Sequence, residues 1–495
     1  MGRKKIVSQS AVIEPTNRKV VVVGGGIAGL SAAYSLQQEG KAKNAALSIT
    51  LVDANPKLGG KILTEKVDGF TVEGGPDCFI SQKPWAAELA HQLGIQDDLI
   101  GTNDHQRKTF VLNHGRLTPL PDGVMLIIPT RIMPFVLSPL ITWPGKIRMG
   151  LDWFIPRRPG RDDETVGDFV RRRLGSEALD KIAEPLLSGI HVSDPEKQSL
   201  LATFPRFRTI EEKHGSLIRG MLAERKAAKA RKSTASKPVS LFQSFKQGVG
   251  RLTEAVETAL TDCRLIKDTR VVSLTRGGEG AYRIDLSSGE TLTADAVVLA
   301  TPAYVAAELL APVSLDIARM LNAFEYVSTA TISLGFRKQD IQKPFMGFGF
   351  VNPRTEKRRI SACTWTSFKF DHRAPEDHIL LRCFVGGPGK EEMVEQDDET
   401  LIKIARAELA DILDLTAEPV LTRIYRWRKA NPQYNLGHLD NVHRAFEACA
   451  RELPGILLTG SAYEGVGIPD CVRQGQKAAG KVMEFLSETK AEVQP

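Results

Sequence analysis

The sequence predicts an α/β protein: a Rossmann-like dinucleotide-binding domain assembled from separated stretches of chain, with an inserted helical domain and a substrate domain built on a mixed, largely antiparallel sheet. Three observations predict it. Four consecutive valines, Val20 to Val23, run into Gly24-Gly-Gly-Ile-Ala-Gly29, the pattern of a buried parallel strand that turns sharply into a helix. Residues 48–52 (Ser-Ile-Thr-Leu-Val) read as a second strand and are followed by Asp53, where an acid for a ribose hydroxyl belongs. From 105 to 222 the apolar residues take helical spacing, and strand patterns return from 270 onwards.

In the first element, Gly24 permits the tight turn, Gly26 lets phosphates approach bare backbone, and Gly29 lets the helix 30–38 pack against its strand. Gly25, Ile27 and Ala28 complete a turn whose N–H groups face an anion. Such a turn also occurs without a ligand, but here strand, helix, second strand and acid are in register. Residues 55–62 (Asn-Pro-Lys-Leu-Gly-Gly-Lys-Ile) place a second glycine pair just beyond Asp53, and Lys61 offers a cation to a pyrophosphate. NAD enzymes have no need of that second close approach. FAD held permanently, and contacted on two sides, does, so FAD is the expected cofactor.

The later elements divide the chain further. Residues 18–104 form the first nucleotide-binding block, and 105–222 the helical domain, with helices over 165–174 and 178–189. A basic linker spans 223–240, within which 225–237 holds six Lys and Arg among Ala, Ser and Thr, the composition of a solvated segment. Without interleaved aromatic residues it does not read as a nucleic-acid site. Residues 241–302 resume the nucleotide domain, with strands 270–274, 282–286 and 296–300 and a helix opening at Thr301-Pro302. Strands at 330–336, 347–351, 359–364 and 379–385 make 303–428 a sheet domain and the floor of a substrate cavity. Residues 429–488 return to the nucleotide domain through strand 455–460 and a helix over 469–486. Backbone at Gly465, Val466, Gly467 and Ile468 lies where a flat ligand meets the positive end of that helix, which would stabilise the anionic edge of a reduced isoalloxazine.

Composition agrees with an enzyme of this kind. With 495 residues, 42% hydrophobic and 25% charged, the chain can bury several cores. The net charge of +7 favours acidic ligands or an anionic surface. Six cysteines, at 78, 263, 363, 383, 449 and 471, show no C-x-x-C, so neither a disulfide framework nor a zinc site is implied and a cytoplasmic setting is expected. The nine histidines have no metal-ligand spacing. Residues 1–17 read as a disordered leader: Arg3, Lys4 and Lys5 precede no apolar core, and Ile6 breaks the myristoylation pattern that Gly2 raises. The most apolar stretch, 124–143, is cut by Pro129, Pro134 and Pro139 and carries Arg131, which excludes a membrane span. It is expected to wall the substrate cavity; peripheral contact with a membrane surface is the alternative.

Several segments carry a more specific likeness: 75–85 (Gly-Pro-Asp-Cys-Phe-Ile-Ser-Gln-Lys-Pro-Trp), 182–190, 203–206, 362–366, 372–375, 384–387, 432–434 and 464–472 (Glu-Gly-Val-Gly-Ile-Pro-Asp-Cys-Val). Together they resemble the FAD-dependent porphyrinogen oxidases, which have the amine-oxidase type of fold, and most closely the soluble Gram-positive type that oxidises coproporphyrinogen III in haem synthesis. The resemblance runs from about 19 to 486. It implies hydride transfer from a methylene bridge of a porphyrinogen to the flavin, reoxidation by O2 with release of H2O2, and repetition until the macrocycle is aromatic. Aromatisation drives such chemistry and orientation supplies most of the catalysis, so no catalytic acid or base is assigned. By position in the family motifs, FAD would contact Gly24 to Gly29, Asp53, Lys61, Gly75, Pro76, Asp77, Cys78, Val271, Trp427 and Gly465 to Ile468. Phe345, Thr364 and Phe384 would wall the macrocycle, with core packing as the alternative for the two aromatics. Lys83 would pair with a propionate or lie on the surface, and Arg131 would stand near the pocket.

The likeness has one departure. Protoporphyrinogen oxidases place a propionate-binding arginine where counting back from Leu120-Pro121 gives Thr109, and Arg107 and Lys108 are expected to point elsewhere. Coproporphyrinogen III is therefore the expected substrate and protoporphyrinogen IX the alternative. A flavin amine oxidase and a flavin-free prenyl-chaperone type of binding protein are the rival readings. The expected partners are the porphyrinogen and O2, with hand-over of product to a downstream haem-pathway enzyme and no nucleic acid.

Overall fold

Four valines in a row leave a strand no polar face to turn to water. In the computed structural model, which describes residues 17–122, 124–125, 128–129, 131–231, 240–343 and 345–492, the strand Arg18–Val23 accordingly lies at the centre of a five-stranded parallel sheet. The order is Cys263–Ile266, Leu47–Val52, Arg18–Val23, Ala296–Leu299, Ile456–Leu458. Val20 and Val22 face one core, shared with helix Ile27–Ala42 and the last helix Ile468–Glu492. Val21 and Val23 face the other, shared with helices Ala303–Leu310, Leu315–Asn322 and His438–Glu452.

A second sheet of seven strands stands over the carboxyl ends of the first. Its order is Leu421–Pro432, Tyr326–Arg337, His378–Gly386, Ala362–Trp365, Gly349–Val351, Thr109–Asn113, Arg116–Pro119, antiparallel except where Gly349–Val351 runs parallel to Thr109–Asn113. The last two strands come from the stretch 105–222, which the sequence assigns to the helical domain. Their connection is His114-Gly115, with φ of 51° and 72°, the left-handed pair that a two-residue hairpin turn requires.

The helical layer carries its own core, in which Phe169, Ile182 and Leu200 are buried. Helix Val166–Leu174 starts at Thr165, whose hydroxyl accepts from the Asp168 N–H, the usual device for a first turn. The sequence 225–237 was expected to be a linker. Its first half instead continues helix Leu217–Arg231, as its alanines, lysines and arginines favour; the remainder, like residues 1–16, lies outside the described residues. No helix among the described residues is long and apolar enough to cross a membrane.

What fixes this layer is an ionic cluster with no access to water. Arg173 and Asp152 are both 0% exposed and meet at 2.5 Å, and the guanidinium also donates to the carbonyls of Ile155, Pro156 and Gly215. Asp152 further accepts from the Ser216 hydroxyl and the Ile218 N–H. Removing one partner of such a pair strands a buried charge, which costs about 3–5 kcal/mol. Asp152→Ala should lower the unfolding free energy of the purified protein in urea by about that amount; a midpoint that does not move would remove the cluster from any account of stability.

Candidate functional site

The two sheets enclose one cavity of about 2420 Å3. At one end lies the glycine turn. Gly24 has φ +105°, and a Cβ there would stand 2.7 Å from the Ala300 carbonyl oxygen; a Cβ on Gly29 would stand 1.9 Å from that of Gly24. These two glycines are demanded by the protein itself. Gly26 is different: its φ of −68° and ψ of 173° suit any residue, and the nearest atom to an added Cβ is the Gly60 Cα at 4.0 Å. Gly26 thus presents bare backbone to open space, a cradle that a ligand would fill, and Gly60, at φ +59°, lines the cavity packed against it. Gly25 and Gly29, expected among the contact residues, are not on the cavity wall. Gly25 faces Leu58, and its N–H donates to Asp53 Oδ2 at 2.6 Å. The other Asp53 oxygen accepts from the Asn55 N–H and side-chain amide, so the acid is fixed at the wall beside Ile27, Ala28 and Val271. The Thr301 hydroxyl, on the same wall, is buried without a partner, as a polar group awaiting a ligand would be.

Along the middle of the cavity run Gly75, Pro76, Asp77 and Cys78. Lys369 donates to Asp77 at 2.9 Å. Burial opposes ionisation of Asp77, but the charges of Lys369 and Arg382 win and hold it well below the usual carboxylate range. Burial and the neighbouring Asp77 push the Cys78 thiol up to about 12. Trp427 Nε1 donates to the Gly74 carbonyl at 2.8 Å. Lys61 does not hold its ammonium free for a pyrophosphate. It is buried, which lowers its pKa, and it donates to the Ala430 carbonyl at 2.6 Å and the Ser461 hydroxyl at 3.0 Å. Gly465 (φ +127°), Val466, Gly467 and Ile468 close this part of the wall.

Lys83 is also committed to the protein. Its ammonium meets both carboxylate oxygens of Asp470, in the first turn of the last helix, at 2.8 and 2.6 Å, while its side chain stays 44% exposed on the cavity wall.

At the far end the second sheet forms the floor. Register places Thr109, Gly349, Thr364 and Arg382 in one row across four strands, and all four line the cavity with Phe384. The Arg382 guanidinium lies 4.9 Å from the Phe384 ring centroid. Two expected wall residues and one expected wall segment are absent. Phe345 is half-buried and packs on Trp365 and Phe368, at 5.2 and 6.0 Å, which is the core-packing alternative. Arg131 is exposed at the start of helix Ile132–Leu137 and is no part of the wall. Nor do the described residues of 124–143 line the cavity; Met133, Leu137 and Trp143 are exposed instead. Conversely, Arg107 does line the cavity. Residue 107 lies outside strand Thr109–Asn113, at the end of the turn Asp104–Gln106 with φ −66° and ψ 81°, so strand alternation does not govern it. Lys369 and Arg382 also escaped the sequence reading, although a lone arginine inside the apolar strand His378–Gly386 was a signal.

Residues 27–483 match the family described as flavin containing amine oxidoreductase. The chain belongs to this family. It is a flavin-dependent oxidoreductase. It is 39% identical to coproporphyrinogen III oxidase of Bacillus subtilis over 469 residues, 95% of this chain and 98% of that one. It is 30% identical to a chloroplastic protoporphyrinogen oxidase of Nicotiana tabacum, over 94% of this chain and 86% of that one. A solved structure from Exiguobacterium sp. 255-15, named for protoporphyrinogen oxidase, superposes with a TM-score of 0.84 at 34% identity, covering 95% of this chain and 99% of that one. The open backbone at Gly26 and the orphaned Thr301 hydroxyl fit a flavin nucleotide.

Because Gly26 has ordinary dihedrals and room for a side chain, Gly26→Val should fold normally, with an unchanged far-UV circular dichroism spectrum, yet purify without the yellow flavin absorbance. Stoichiometric flavin in that variant would move the phosphate site elsewhere.

Proposed function

We propose that the chain binds FAD and oxidises coproporphyrinogen III to coproporphyrin III, passing the electrons to O2 with release of H2O2. The observation that carries this reading is a cavity that joins the glycine turn to a sheet floor of Thr109, Thr364 and Phe384. In this reading 18–104, 241–302 and 429–488 hold the cofactor, and 105–222 with 303–428 hold the substrate. Bound FAD supplies the hydride acceptor. The backbone at Gly26 receives the pyrophosphate, and Asp53, already oriented by Gly25 and Asn55, accepts from a ribose hydroxyl. Phe384 and the floor hold the macrocycle in one orientation, which converts a bimolecular encounter into a positioned one.

Coproporphyrinogen is favoured over protoporphyrinogen because its carboxylates are more numerous. Position 109 is a threonine rather than the arginine of the protoporphyrinogen type, and the substrate end of the wall carries Arg107, Arg206, Arg354, Arg358 and Lys390. A carboxylate held away from water without a cation is expensive. Arg206, Arg354 and Arg358 already hold protein carboxylates and Lys390 the Arg358 carbonyl, so the selection for more carboxylates comes from the excess of positive charge along this wall, Arg107 included. Initial rates on the two porphyrinogens, with H2O2 measured alongside, should give the higher kcat/KM for coproporphyrinogen III, and heat-released cofactor should co-migrate with FAD. A preference for protoporphyrinogen IX would overturn the substrate, and FMN would overturn the cofactor.

We place the protein in the cytoplasm in peripheral contact with membrane, where the product passes to the next enzyme of haem synthesis. The support is a surface of Met133, Leu137, Trp143, Ile147, Leu151, Trp153 and Phe154, among which Trp143 is 63% and Phe154 77% exposed. Basic groups border it: Lys146 lies 4.6 Å from the Trp143 ring and Arg219 4.8 Å from that of Trp153. Aromatic and basic side chains in this arrangement suit an anionic interface. The protein should co-sediment with vesicles containing phosphatidylglycerol more than with phosphatidylcholine alone, and Trp143→Ala with Phe154→Ala should abolish the difference; equal recovery with both vesicles would refute the contact.

A further inference from the structure

We infer that the imidazole of His191 is the base that takes the pyrrole N–H proton as hydride leaves the neighbouring methylene bridge. The inference rests on the porphyrinogen reading above and adds to it a residue for the proton half of the oxidation.

Helix Glu184–His191 ends on the cavity wall with His191 as its last residue. The next residue, Val192, has φ +50°, a left-handed conformation that a β-branched side chain adopts only where its surroundings impose it. Two contacts impose it here. The Val192 carbonyl accepts from Gln433 Nε2 at 3.1 Å, and a Cβ on Gly387 would stand 3.2 Å from Val192 Cγ1. Gly387 lies just past the end of strand His378–Gly386, which carries Phe384 of the floor. On its other side His191 is close enough to Lys83 for the ammonium to act on the ring, and Lys83 is bound to Asp470 at the start of the last helix. His191 therefore stands where the nucleotide end of the cavity meets the macrocycle floor. Phe204 holds the ring edge-to-face at 5.1 Å.

The ring is also free to react. Neither of its nitrogens has a hydrogen-bond partner in the protein, and it is the one histidine among the described wall residues. The carboxylates of the wall are occupied: Asp53 accepts from Gly25 and Asn55, Asp77 is held by Lys369, Glu184 by Arg354, Glu464 by Lys477 and Asp470 by Lys83. Glu308 is exposed on helix Ala303–Leu310, beyond the glycine turn. Burial and the Lys83 ammonium keep the His191 pKa at about 4, so the ring is uncharged at neutral pH and its nitrogen lone pair is available.

The step balances with the electron acceptor of the proposed reaction. The C–H bond of the methylene bridge breaks with both electrons leaving as hydride, and the adjacent N–H bond breaks with its proton going to the imidazole. The electron pair of that N–H bond stays on the macrocycle and completes the new double bond. Loss of hydride makes the N–H strongly acidic, so a weak base suffices. The hydride carries one hydrogen of H2O2 and both electrons, and the proton held by His191 supplies the other.

The test is anaerobic stopped-flow mixing of the flavin-loaded holoprotein with coproporphyrinogen III, followed by loss of flavin absorbance. His191→Ala should slow this bleaching about a hundredfold or more, while coproporphyrin III, titrated by fluorescence, binds as it does to wild type. Added imidazole should restore much of the rate in His191→Ala and leave wild type unchanged, because the emptied space admits the base that was removed. His191→Phe, which keeps an aromatic ring against Phe204, should remain slow with or without imidazole. Bleaching at the wild-type rate in either variant overturns the assignment, and so does a His191→Ala protein that imidazole fails to accelerate. A loss of coproporphyrin III affinity as large as the loss of rate overturns it too, by making His191 a binding residue. A wild type whose flavin no porphyrinogen bleaches sinks the substrate reading and the base together.

Discussion

The carbonyl of Gly74, at the end of the hairpin Thr64–Val67 and Phe70–Glu73, is where the segment 74–78 is tied to the antiparallel sheet. It accepts from Thr331 Oγ1 at 3.2 Å, from the Arg382 guanidinium at 3.1 Å and from Trp427 Nε1 at 2.8 Å, one donor from each of three neighbouring strands of the antiparallel sheet. A backbone carbonyl has two lone pairs, and here a charged donor shares them with two neutral ones. The chain can pass this close only as glycine: a Cβ on Gly74 would meet the Tyr425 ring at 2.9 Å, and one on Gly75 the Lys61 carbonyl oxygen at 1.7 Å. Burying Arg382 is tolerable because carbonyls receive it and Asp77 faces it. Lys369 on Asp77 then repeats the seam one step further along. The segment 75–78 is thereby pinned against the substrate floor, and two separate crevices become one cavity with nucleotide and substrate ends.

What the sequence made legible were features encoded by neighbours. The valines and glycines of 20–29, the strand before Asp53 and the strand 282–286 carry their own pattern, and each lies where that pattern puts it. The pairs that complete the site do not. Lys83 and Asp470 are 387 residues apart and Asp77 and Lys369 are 292 apart, so nothing local announces that either lysine is committed. Arg107 reaches the cavity from the end of the turn Asp104–Gln106, ahead of strand Thr109–Asn113, so an extended-chain alternation does not apply to it.

Hydrophobicity failed in a different way. An apolar residue tells that burial is favourable, not against what. Phe345 finds Trp365 and Phe368 instead of a ligand. The stretch 124–143 has the composition of a cavity wall, yet its three prolines break it into short pieces, and Met133, Leu137 and Trp143 emerge on the outside. Only the surrounding fold decides between a wall and a face.

Lys83 gains a role from its partner. The last helix begins at Ile468, and its first turn should present a positive end to a reduced flavin ring. Asp470 puts a buried carboxylate into that same turn, which taken alone would oppose the field. Gly465 crosses directly above it; a Cβ there would stand 2.6 Å from the Asp470 carboxyl carbon, so the acid lies against the backbone that meets the ligand. With both of its oxygens on Lys83, the carboxylate is neutralised and the field of the helix is restored. His191 nearby adds no charge, because burial and the Lys83 ammonium hold it down at about 4. This end of the cavity therefore carries a closed ion pair and a neutral imidazole, so that neither Asp470 nor His191 opposes the backbone N–H groups at the start of the helix. The buried Lys61 ammonium adds to them from the facing wall.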